Sequence, residues 1–116
     1  MPREQQDPLE IFVGAVKNHH QSTTSGDYRN CNKQADKLHA AARQLLQGGA
    51  VSVDRFTTLL EHDDAAVRGM AAAYLLKDRT EIAVAALKPL ARRKDIIGLG
   101  ATECLKRYDR GELEIK

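Results

Sequence analysis

Apolar side chains recur every third or fourth position along most of this chain, the spacing of one face of an α-helix rather than the alternation of a half-buried strand. Asp7-Pro8 opens the first helix: aspartate supplies a capping oxygen, and proline at the first helical position gives up no hydrogen bond. Leu9, Phe12, Val13 and Val16 follow on one face until the polar QSTTSG segment at 21–26, which reads as a flexible connection. Asp27 begins a second helix with the stripe Tyr28, Cys31, Ala35, Leu38, Ala42 and Leu45, ended by Gly48-Gly49. Ser52 is the expected cap of a short third helix carrying Phe56, Leu59 and Leu60. Asp64 is the expected cap of a fourth, lined by Val67, Met70, Ala71, Tyr74 and Leu75. Thr80 is placed to cap a fifth helix with Ile82, Ala85, Ala86 and Leu90. A sixth is expected from about Asp95 through Tyr108, weakened by Gly98 and Gly100 and stopped by Gly111.

The stretch LLEHDDAAVRGMAAAYLLK contains few large side chains for a core helix. Alanine and glycine at the contact let helix backbones approach without leaving a void. A shift of thirty residues sets Leu60 over Leu90, Val67 over Ile97, Ala71 over Ala101 and Leu75 over Leu105, a weak repeat between the last two helical pairs. Val84 and Leu87 fall off the main stripe of the fifth helix, so that helix is expected to pack on two sides and to be among the most buried. The predicted fold is all-α: three antiparallel helical hairpins stacked as a short α-α superhelix.

Composition narrows this further. The chain has 116 residues, 42% hydrophobic and 29% charged, with no tryptophan. That length suits one domain, expected over 7–111, with 1–6 as a disordered N-terminal segment and 112–116 as a tail. A net charge of +2, with both signs mixed, does not by itself imply nucleic acid. Cys31 and Cys104 form no CxxC pair, which fits a reducing compartment and points to the cytoplasm. The run IFVGAV is cut short by Lys17 and two histidines, too soon for a signal-peptide core or a membrane span.

The segment LLEHDDAAVRGMAAAYLL resembles the HEAT-repeat signature: two leucines, an acidic turn, then Val-Arg and small residues at helical spacing. From PLEIFVGAV through NCNKQADKLHAAARQL to KRYDRGEL, the chain is similar to a small bacterial family of HEAT-like domains defined by fold rather than activity. The resemblance implies that Asp64 caps its helix, that Arg68 reaches an acidic group in an adjacent hairpin, and that Pro89 occupies the place of a kinking proline. The third hairpin departs from the pattern. Lys94 and Gly98 stand where the acid and the arginine would be, and Asp95 is its better cap.

Candidate chemistry is sparse. His19, His20, His39 and His62 form neither an HExxH nor a Cys/His grouping, so no metal or other cofactor is expected. The HDD turn is too short of ligands for a calcium loop. Both cysteines fall on apolar stripes, where a thiol acts as a small hydrophobe. Ser22, Thr23, Thr24 and Ser25 lack a GxSxG elbow, and the adjacent Asp63 and Asp64 have no cause for separated pKa values. No enzyme is expected.

Two surfaces remain for binding. One is the polar face of the second helix, Arg29, Asn32, Lys33, Asp36 and Lys37. The other is basic: Lys88, Arg92, Arg93 and Lys94, then Lys106, Arg107 and Arg110, read together as one positive end. A shallow helical surface suits a protein partner, such as a toxin masked by an immunity or antitoxin protein through complementary charge. The alternative is nucleic-acid binding through the basic C-terminal patch, although acidic residues dilute it and no aromatics interleave for stacking.

Overall fold

The computed structural model describes residues 7–109; the segment 1–6, Arg110, the stop at Gly111 and the tail 112–116 lie outside the described residues. In chain order the elements are α1 (Pro8–Ser25), α2 (Tyr28–Gln47), α3 (Ala50–Thr57), a 3₁₀ turn (Thr58–Glu61), α4 (Ala65–Leu75), α5 (Thr80–Ala91) and α6 (Ile96–Asp109). Among the described residues there is no strand, so the chain is all-α. Backbone contacts group the chain into two compact units, divided in sequence between Phe56 and Thr57. Each is described on its own.

In the first unit α1 packs along α2. The Asp7 carboxylate caps α1 by accepting from the Leu9 N–H at 3.0 Å, and its other oxygen accepts from the Arg55 guanidinium of α3. The QSTTSG segment is not a loop. Thr23, Thr24 and Ser25 donate their hydroxyls to the carbonyls of His19, Gln21 and Ser22 at 2.9, 2.9 and 3.3 Å. Bonding back to the preceding turn lets hydroxyl residues sit inside a helix, and α1 runs on to Gly26, which takes the left-handed φ of 81° that ends it. Ser52 likewise caps nothing: α3 already starts at Ala50, and the Ser52 hydroxyl donates to the Leu45 carbonyl at 2.7 Å, satisfying the end of α2. The buried side chains are Phe12, Ala15 and Val16 of α1, Leu38, Ala41, Ala42 and Leu45 of α2, and Val53 and Phe56 of α3. Tyr28, expected on the stripe of α2, is 75% exposed. Gln34 is buried instead; its amide donates to Asn30, whose own amide donates to Ser22, while the Gln34 Oε1 has no hydrogen-bond partner among the described residues.

In the second unit α4 packs against α5 and α6, and α5 against α6. Asp64 caps α4 as expected, accepting from the Ala66 N–H at 2.8 Å. Replacing Asp64 with alanine should cost about 1 kcal/mol, measured as a lowered denaturation midpoint at unchanged slope. Ala66, Val67, Ala71, Ala72 and Leu75 are the buried positions of α4, and Met70 and Tyr74 are half-buried. An added Cβ at Gly69 would lie 3.4 Å from a Leu90 methyl, so the small residues do bring α4 close to α5. The phase of α5 differs from the expected one. Ala83, Leu87 and Leu90 face inward, whereas Ile82 is 46% exposed and Ala85 lies open. With apolar residues on every side of EIAVAAL, spacing alone does not select the buried face, and the helix is less enclosed than predicted. Thr80 is the first helical residue rather than an acceptor cap; its hydroxyl donates to the Leu76 carbonyl at 2.7 Å. Pro89 lies on the exposed side of α5, which ends two residues later at Ala91.

Candidate interaction surface

The two predicted surfaces fall in different units. Arg29, Asn32, Lys33, Asp36 and Lys37 are all exposed and follow the i, i+3, i+4, i+7, i+8 spacing that aligns side chains on one face of α2. Arg92, Arg93 and Lys94 are exposed in the connection from α5 to α6. The single positive end does not form. Lys106 and Arg107 occupy the last turn of α6, and at 1.5 Å per residue Lys106 is about 15 Å along the helix from its first residue, Ile96. Arg110 lies outside the described residues. Arg68 also departs from expectation: among the described residues it meets no carboxylate, and it donates from Nη1 to the carbonyls of His62 and Asp63 at 2.8 and 3.2 Å. The same turn is closed by the Asp64 N–H donating to His62 Nδ1 at 3.0 Å, so Arg68 holds its own turn.

The connection from α5 to α6 is built closely. Asp95 accepts from the Gly98 N–H at 3.1 Å and so caps α6, as the sequence predicts. Arg93 donates three hydrogen bonds to the same carboxylate, from Nε to both oxygens at 3.1 Å and from Nη2 at 2.6 Å. The Arg93 guanidinium first, and the Gly98 N–H second, pull the Asp95 carboxyl down to about 2. A depressed folded-state pKa means that this contribution is complete above the ordinary carboxylate range near 3.8 and fades as pH falls toward 2. An NMR titration should find Asp95 still ionised at pH 3, and Asp95→Asn should remove that part of the acid dependence. Arg92 and Lys94 have no ion-pair partner among the described residues.

Beside these cations the first turns of α6 hold a shallow depression of about 470 Å³, lined by Arg93, Lys94, Ile96, Leu99 and Thr102 among others. Leu99 is 64% exposed there, and Ile96 is exposed one turn before it. Neither appears among the sequence-predicted site residues, because their three-residue spacing looks the same on a buried face. Thr102 anchors this part of α6 by donating to the Ala91 carbonyl at 3.3 Å. A smaller depression of about 330 Å³ lies on α1, over Leu9, Val13 and Gly14 with Glu10 and Lys17 at its edge.

Other chemistry is limited. Among the described residues no group of three or more His, Cys, Asp and Glu side chains is placed to hold a metal ion, and no helix is long and apolar enough to cross a membrane. Cys31 and Cys104 are half-buried rather than enclosed. Burial pushes the Cys104 thiol up, against a smaller opposing effect of Arg107, which disfavours the nucleophilic thiolate. The Cys31 sulfur lies 3.4 Å from the Thr23 hydroxyl. No protein-family model, curated protein or solved structure matches the chain.

Proposed function

We propose that this chain is a non-catalytic, HEAT-like helical-repeat module that binds another protein, acting in the cytoplasm. An immunity or antitoxin role, masking a bacterial toxin, is the specific form proposed. In support of the repeat, Ala71 and Ala101, thirty residues apart, are both buried, and the small residues of α4 admit α5 closely. The observation that carries the binding function is the open, solvent-facing character of the depression on α6. Its walls are exposed aliphatic side chains next to Lys94, which has no ion-pair partner among the described residues, a combination suited to a macromolecular surface rather than to enclosing a small molecule.

Nucleic acid would be held by Arg92, Arg93 and Lys94, but Arg93 is already engaged by Asp95 and the remaining cations of α6 lie at its other end. Affinity capture from a native bacterial lysate treated with nuclease separates the two. A specific protein recovered in stoichiometric amount is the expected result. Recovery of nucleic acid alone, with affinity falling steeply as salt rises, would replace protein binding with the second function.

A further inference from the structure

We propose that the depression at the start of α6 is the docking site for an acidic segment of a protein partner, with one large apolar side chain of that segment seated between Ile96 and Leu99. The inference builds on the protein-binding function above and adds where the partner binds and what its chemistry is. Three observations support it. Leu99 and Ile96 stand three residues apart on one face of α6 and both project into solvent, although the same helix buries Gly98 and Ala101 on its other side. The depression they line is open, with room for a side chain to enter from outside.

The third observation is charge. Lys94 lines the depression and Arg92 lies two residues before it in the same exposed connection, both without ion-pair partners among the described residues, while Asp95, the one anion among the described lining residues, accepts three hydrogen bonds from Arg93 and already caps α6. The site therefore presents an apolar centre with an uncompensated cation, Lys94, in its lining and a second, Arg92, in the connection that leads into it. The complement is an apolar anchor flanked by aspartate or glutamate: the anchor supplies contact area and the flanking carboxylates supply register and steering. A basic or neutral segment would leave Lys94 uncompensated.

The test is an amide NMR titration of the whole chain with a synthetic peptide carrying one leucine between two pairs of glutamates. Control peptides replace that leucine with serine or the glutamates with lysine, and an oligo-dT strand serves as a plain polyanion. The glutamate–leucine peptide should shift amides within 92–103 and leave those of α1 and α2 unmoved. Leu99→Ser should weaken it about tenfold, the loss expected for one apolar anchor, and Arg92→Glu with Lys94→Glu should weaken it by a similar factor. Both variants change exposed side chains, and an unaltered far-ultraviolet spectrum establishes that they fold.

Several outcomes overturn the assignment. These are no shifts within 92–103, equal shifts from the serine peptide or from oligo-dT, a peptide-free dimer that Leu99→Ser dissolves, or the same amides moving when 110–116 are deleted. If lysate capture yields a protein whose binding is indifferent to Leu99→Ser, the docking site is wrong and the binding function stands. If capture yields none, the function itself fails.

Discussion

Replacing Gly98 with alanine should destabilise the second unit by about 3 kcal/mol, although helix propensity alone favours the change by about 1 kcal/mol. A Cβ at Gly98 would lie 2.0 Å from the Arg93 carbonyl oxygen and 2.6 Å from its carbon, so backbone rather than a flexible side chain would have to yield. The carbonyl cannot retreat freely, because Arg93 is fixed by its N–H donating to the Leu90 carbonyl and by its guanidinium on Asp95. Gly100 is the control: nothing lies within 4 Å of its added Cβ, and Gly100→Ala should raise stability by about 0.5 to 1 kcal/mol. Urea denaturation of the two variants should therefore move the midpoint in opposite directions. A gain in both would mean that α6 leaves α5 with more room than described.

Phe56→Ala should cost the first unit about 4 kcal/mol, the larger of the two effects. The chain has only two phenylalanines, and both are fully buried. They meet edge to face with centroids 5.0 Å apart and planes at 80°, a geometry worth about 1 kcal/mol beyond the area it buries. Phe12→Ala should cost a similar amount. Because the rings touch, the double variant should lose less than the sum of the two, by roughly 1 kcal/mol. Full additivity in a denaturation cycle would show that the rings do not share a contact.

The aspartate caps were legible in the sequence because each stands directly before a periodic apolar run. Asp7, Asp27, Asp64 and Asp95 all accept from an N–H of the first turn. Hydroxyl residues misled for a physical reason. Ser and Thr either accept at a helix start or donate back to a carbonyl within or just before a helix, and composition does not distinguish the two. Ser52, Thr80 and the 23–25 run all take the second course. Alanine-rich helices hide their phase, which is how Ile82 came to be exposed and Leu87 buried. The HEAT-like pattern likewise sends Arg68 to a carboxylate, but two carbonyls of its own turn lie nearer.

The basic residues show how sequence proximity misrepresents a surface. Arg92 to Lys94 and Lys106 to Arg107 look like one cluster along the chain, and the length of α6 separates them. The apolar half of the depression was hidden for the opposite reason. Ile96 and Leu99 look like core residues by type and spacing, but α6 buries Gly98 and Ala101 where it packs on α4 and α5, and this leaves Ile96 and Leu99 exposed.

Hydrogen–deuterium exchange of the chain, free and saturated with the protein captured from lysate, tests the central claim most directly. Binding through an open helical surface predicts slowed exchange at the α5 to α6 connection and the first turns of α6, with the amides of the buried α4 face unchanged. Exchange that is identical with and without the captured protein, or slowed only when nucleic acid is present, would contradict it.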